Sequence, residues 1–190
     1  MRKVYFRYQC DVLTQQKALK LYVSRLFLFV GYGILGLDGE VIICRGVTGM
    51  IRELRQADIN KIADIWLDTN IKAHSFIPTQ YWKNNFEFVK EALLQAEVYV
   101  YENDNEIQGF IGLNEEYVEG IFVSDEVQSQ GIGKILLNFA KNKRNALHLN
   151  VYEKNTRAMA FYQREGFEIQ CSGLNDATGE KEYTMVWQQK

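Results

Sequence analysis

Residues 121–143 pass from an apolar strand, Ile121-Phe122-Val123, through a polar loop into a glycine pair and then a helix. On that helix Ile132, Ile135, Leu136 and Phe139 share one face. A helix that opens on glycines presents unpaired backbone N–H groups and the positive end of its dipole, a ready site for an anion. Glycine at such a turn lets the backbone come close to a phosphate without a Cβ in the way. Three phosphate-loop patterns can be compared with Gln128-Ser129-Gln130-Gly131-Ile132-Gly133-Lys134-Ile135-Leu136. A P-loop needs glycine where Gln128 stands and Ser or Thr where Ile135 stands. A Rossmann loop needs glycine at Leu136. The pattern Q/R-x-x-G-x-G/A is matched at every specified position.

Around this loop the chain reads as an α/β protein. Ile51 to Arg55 alternates like a short strand, and Asp58 opens a helix with Ile59, Ile62, Ala63 and Trp66 on one face. His74 to Pro78 is a loop, and Thr79 is the expected N-cap of one helix running towards Leu94. Val98–Tyr101 and Gly109–Leu113 read as strands joined across Asn103-Asp104-Asn105, and Tyr117 to Val123 as a further strand. A helix over Gly131–Lys143, a strand over Leu147–Val151 and a helix over Asn155–Glu165 follow, the last ended by Gly166. Phe167–Cys171 and Tyr183–Trp187 complete a mixed sheet.

A second motif lies at the end of this series. Asn150-Val151-Tyr152-Glu153-Lys154-Asn155 is a strand end leading to an Asn-capped helix that bears Phe161-Tyr162 and exits at Gly166-Phe167. Asn155 falls 22 residues after Gly133. The two motifs, in this order and at this spacing, strongly resemble the GNAT (GCN5-related) superfamily of acetyl-CoA-dependent N-acetyltransferases. The resemblance covers residues 50–190. In particular it looks like the small bacterial members with a His-x-Phe-Ile…Tyr-Trp stretch, here His74 to Trp82. It implies the GNAT (acyl-CoA N-acyltransferase) fold, an α/β architecture with a mixed, mostly antiparallel central sheet and flanking helices.

The resemblance also implies a site. Backbone groups of Ile121, Phe122 and Val123 would pair with the pantetheine arm of acetyl-CoA, in a gap where this strand splays from its neighbour. The pyrophosphate would rest on the amides of Gln128, Ser129, Gln130, Gly131, Ile132, Gly133 and Lys134. Asn155 would bind the pantetheine, cap its helix, or do both. Tyr162 matches the family's tyrosine near the thioester sulfur, where a phenol can protonate the departing thiolate. Glu119 is the first candidate for the base that deprotonates the amine and Glu116 the second, with solvated surface charge as the alternative for each. His74, Phe76, Trp82 and Tyr117 fall where family members build the acceptor pocket, although His74 could equally serve packing.

The function implied is transfer of acetyl from acetyl-CoA to a primary amine by direct attack in a ternary complex. The acceptor could be a small metabolite, an antibiotic-like amine, or a protein lysine or N-terminus. A non-catalytic acyl-CoA-binding module of the same fold is the alternative. Charge agrees with a cationic acceptor, since residues 50–190 hold 15 basic and 21 acidic side chains, net −6. No basic stripe points to nucleic acid. Three cysteines without paired spacing exclude a disulfide scaffold, and two histidines leave little for a metal site, so none is expected. Cys171 reads as a small core residue rather than a nucleophile, and His148 as structural. Members of the family often dimerise through their last strands, which makes a homodimer an expectation here.

Residues 1–49 differ in character, with seven basic and three acidic side chains, net +4. Their apolar run Leu26 to Leu37 is too short for a bilayer helix, which needs about 20 residues, and lacks a signal cleavage site. A cytoplasmic protein without membrane association is therefore expected. Gly31-Tyr32-Gly33-Ile34-Leu35-Gly36 matches G-x-G-x-x-G, but a turn and a short strand pattern follow where a helix would be required. Arg45-Gly46-Val47 can be encoded by a purine-rich run just before the Met50 codon. The expectation is therefore that Met50 is the true start and residues 50–190 are the catalytic domain.

Overall fold

The computed structural model describes residues 40–44 and 47–189. The Leu26–Leu37 run and its glycine pattern lie outside the described residues, as does most of the segment preceding Met50. Eight strands form one sheet: β1 (Glu40–Cys44), β2 (Val47–Glu53), β3 (Glu97–Asn103), β4 (Glu106–Asn114), β5 (Tyr117–Val123), β6 (Ala146–Tyr152), β7 (Glu168–Leu174) and β8 (Lys181–Gln188). Their spatial order is β1-β2-β3-β4-β5-β6-β8-β7. Every pair is antiparallel except β5 and β6, which run parallel. The architecture is the α/β one expected, a mixed and mostly antiparallel sheet flanked by helices.

Five helices cover the sheet: α1 (Ile59–Ala73), α2 (Thr79–Asn84), α3 (Phe86–Leu93), α4 (Ile132–Lys143) and α5 (Thr156–Arg164). On one side, Ile59, Ile62 and Trp66 of α1 and Trp82 of α2 bury against Val98, Val100 and Phe110. On the other, Ile132, Leu136 and Phe139 of α4 and Tyr162 of α5 pack on Ile111, Leu147, Leu149 and Met185. The alternation of β6 places Leu147, Leu149 and Val151 in this second core. His148, Asn150 and Tyr152 consequently face the opposite side.

Two helix boundaries differ from the expectation. Pro78, not Thr79, is the N-cap of α2. The single helix expected from Thr79 to Leu94 breaks at Asn85, whose side-chain Nδ2 donates to the Tyr81 carbonyl at 2.7 Å. An asparagine that bonds the backbone in this way competes with the helical ladder. Asp58 precedes α1 as expected, but its carboxylate turns back to accept from the Arg55 N–H (2.8 Å) and from Arg52 (2.6 and 3.2 Å). Arg52 is 5% exposed and also binds Glu102, so this buried network ties β2 and β3 to the start of α1. Cys171 corrects the core expectation, for it is a free, exposed thiol on the edge strand β7.

Candidate active site

The site begins where the sheet comes apart. β5 and β6 share only the Tyr117–His148 register, with the His148 N–H donating to the Glu116 carbonyl at 2.9 Å. Past that point the two parallel strands have no paired residues, so the β5 edge from Glu119 to Val123 faces a gap. The expected splay is therefore present. On its other side β5 carries a bulge: Gly112 pairs with Gly120 and Leu113 with Val118, leaving Glu119 unpaired between them. A bulge re-aims the side chain of its extra residue.

The Glu119 carboxyl is pushed up to about 7 by burial, with the Asn114 side chain pulling it back in part. It is thus close to half ionised at neutral pH. Tyr117 is also raised by burial, and the charges of Glu119 and Glu182 raise it further. Tyr162 lies within the main core, and burial pushes its phenol well above the usual range. It therefore stays protonated, as a proton donor must be. Tyr117 meets His148 edge-on at 5.1 Å, at the one register position where β5 and β6 still pair. Glu116, the second candidate base, is exposed in the β4–β5 turn.

The phosphate loop has the expected form with one change. Gly131 is the N-cap of α4 at φ +95°, where an L side chain would be strained. The first helical bond is Ile135 N–H to the Gly131 carbonyl at 3.0 Å. The N–H groups of Ile132, Gly133 and Lys134 precede it and are left over by the helix. A Cβ on Gly133 would meet Phe161 at 3.7 Å, an ordinary contact, so packing within the chain does not demand glycine there. Gln128 is the change. Its own N–H bonds the Asp125 carbonyl at 3.3 Å, and its side-chain amide bonds Val123 O at 2.9 Å. It braces the loop from within.

Arg157, for which the sequence reading had no role, donates to Gln128 Oε1 at 2.7 Å and to Ser129 Oγ at 3.1 Å, tying α5 to the loop. Lys134 pairs with Glu165 at 3.6 Å. Asn155 caps α5 by accepting from the Ala158 N–H at 3.1 Å. Its Nδ2 meets His74 Nε2 at 3.1 Å, which makes that nitrogen the acceptor. Burial drives the His74 imidazole down to about 4, so the ring is neutral. It stacks on Trp82 (5.3 Å) and meets Phe76 and Tyr152 edge-on. Trp82 is 2% exposed, which corrects its place from pocket wall to core. Phe76 and Tyr152, 5.6 Å apart, form the more accessible aromatic wall. A separate cleft of about 330 Å³, lined in part by Glu53, Arg55, Glu97 and Tyr99, contains none of these groups. No cluster among the described residues could hold a metal ion.

A splayed parallel strand pair and a helix led by a glycine at positive φ are the backbone features that the sequence resemblance implies for binding an acyl-CoA. A family model for the acetyltransferase (GNAT) domain matches residues 95–169. The chain is 33% identical over 140 residues to the peptidyl-lysine N-acetyltransferase YiaC of Escherichia coli, covering 73% of this chain and 96% of that protein. The chain belongs to the GNAT family of N-acetyltransferases. Its fold is similar to apo YjaB of Escherichia coli, with TM-score 0.68, 23% identity, and coverage of 75% of this chain and 99% of that one. It is likewise similar to PaiA N-acetyltransferase of Thermoplasma acidophilum in complex with coenzyme A, with TM-score 0.64, 18% identity, and coverage of 74% and 98%.

Proposed function

We propose that this enzyme acetylates the ε-amino group of lysine side chains in proteins or peptides, by direct attack on acetyl-CoA in a ternary complex. Glu119 removes a proton from the lysine ammonium, and the neutral amine attacks the thioester carbonyl. A C–N bond forms as the C–S bond breaks, and the thiolate takes the phenolic proton of Tyr162. The acylated nitrogen then sheds its remaining extra proton, which restores the Tyr162 phenol through water, and the proton held by Glu119 returns to solvent, so the net release is one proton. The N–H groups at the start of α4 suit the pyrophosphate, Gly133 leaves space beside it, and the open edge of β5 suits the pantetheine amides.

The observation that carries the reading is the bulged Glu119, whose carboxyl burial brings to about 7 on the strand edge that borders the gap. Similarity to a relative named a peptidyl-lysine N-acetyltransferase supports a lysine acceptor over a small metabolite. Use of acetyl-CoA supports a cytoplasmic location. The exposed edge strand β7 supports pairing with a second copy, which light scattering would read.

The test is CoA-thiol release from acetyl-CoA with lysine peptides and with a panel of small amines, followed by mass spectrometry of the products. Acetyl on the lysine ε-nitrogen is expected. Tight acetyl-CoA binding with no release for any amine would support the non-catalytic acyl-CoA-binding module instead.

A further inference from the structure

Among the described residues, Asp58 and Glu182 are the two buried carboxylates, each 9% exposed. Their surroundings differ. Asp58 is neutralised by the Arg52 guanidinium at 2.6 Å. Glu182 accepts from Asn150 Nδ2 at 3.1 Å and Asn175 Nδ2 at 3.0 Å, and no basic side chain among the described residues pairs with it. The nearby lysines are engaged elsewhere: Lys181 with Glu153 at 2.7 Å and Lys154 with Glu180 at 2.8 Å. Amide donors satisfy hydrogen bonds without supplying positive charge. A buried carboxylate held by amides alone has hydrogen-bond donors but no counter-charge, and a cation brought to it would supply one.

The sheet register gives that carboxylate its place. Glu182 stands opposite Tyr152 in the β6–β8 register, and Thr184 stands opposite Asn150. Thr184 Oγ1 donates to Asn150 Oδ1 at 2.9 Å, which turns the Asn150 amide towards Glu182. Tyr152 in turn meets His74 at 5.2 Å and Phe76 at 5.6 Å, edge-on, so Glu182 stands next to the strand position that carries the aromatic wall. Aromatic walls suit the apolar stem of a lysine, and a carboxylate at their end suits its ammonium.

We propose that Glu182 is the acceptor-recognition residue: braced by Asn150 and Asn175, its carboxylate draws the alkylammonium form of the acceptor along the Tyr152–Phe76 wall. This rests on the lysine-acetylating reading above and divides labour between two carboxylates. Glu182 binds the cation, and Glu119 takes its proton. The product amide is uncharged, so the attraction ends with the reaction and release is favoured.

The test titrates the CoA-loaded protein with N-acetyl-lysine amide and with its uncharged analogue N-acetyl-norleucine amide, followed by NMR. Wild type should bind the lysine compound at least about tenfold more tightly, and Glu182→Gln should abolish that preference without weakening the norleucine compound. In turnover, Glu182→Gln should raise KM for a lysine peptide about tenfold, with kcat and the KM for acetyl-CoA little changed. In wild type alone, the ¹³C-labelled Glu182 carboxyl should shift with the lysine compound and not with norleucine, a readout that survives if the variant fails to fold. A lysine preference that persists in Glu182→Gln, or a Glu182 carboxyl that does not respond, would overturn the proposal. Absence of acetyl transfer with the lysine preference intact would remove the proposed reaction and leave Glu182 as the cation site.

Discussion

At the scale of single residues, Tyr162 and Glu119 are opposite uses of burial. Burial holds the Tyr162 phenol protonated, as a donor requires, and it lifts the Glu119 carboxyl to about 7, as a base at neutral pH requires. Tyr162→Phe should lower kcat about 100-fold while leaving acetyl-CoA affinity nearly unchanged, read by steady-state kinetics beside a binding titration. Unaltered turnover would remove Tyr162 from the chemistry. Wild-type activity should rise with pH through about 7 as Glu119 ionises, and Glu119→Gln should lose that inflection. The same residue carries a stability cost. A carboxyl raised above its unfolded value is neutral in both states at low pH, so it costs nothing there. As pH rises towards and past 7, the unfolded state ionises first and folding is penalised. Glu119→Gln should therefore stabilise the fold by about 1–3 kcal/mol at pH 8 and by almost nothing below pH 4, as thermal melts would show.

At the scale of elements, the strand-loop-helix unit was legible because its signals are local. Glycine spacing, the apolar face of α4, and the Asn155 and Gly166 ends of α5 all act within a few residues. The two glycines nonetheless serve different ends. Gly131 sits at φ +95°, so Gly131→Ala should cost about 1–2 kcal/mol of stability from strain alone. Gly133→Ala meets only ordinary contacts and should melt near wild type, yet weaken acetyl-CoA binding by calorimetry because the added methyl group stands where the ligand approaches. Equal stability losses in the two variants would contradict this division. The break between α2 and α3 was not legible, because an asparagine bonding back to a carbonyl four residues earlier looks in sequence like any polar helix residue.

At the scale of the whole molecule, every residue given a part in the chemistry lies between His74 and Glu182, on two sides of one sheet opening. We propose that residues 50–190 hold all that catalysis needs. The β2–β3 ladder supports this, since its paired residues run from Met50 to Glu53 and none of them precedes Met50. A chain beginning at Met50 should keep its kcat/KM for acetyl-CoA and a lysine peptide. A marked loss would assign the preceding residues a part in folding or in the site.

The sequence alone determined the family, the order of elements apart from the α2–α3 break, the glycine-led helix and the tyrosine on α5, because each is written in short-range spacing. Only the tertiary structure decided where charge is buried and what neutralises it. Glu119 is re-aimed and partly buried through a bulge defined by its partner strand, His74 stacks on the buried Trp82, and Arg157 reaches back to Gln128 and Ser129. Glu182 is one glutamate among many in the linear chain. Only the folding of β6, β8 and the Asn175 turn around it leaves that carboxylate buried, amide-bound and without a cation, because desolvation depends on residues far apart in sequence.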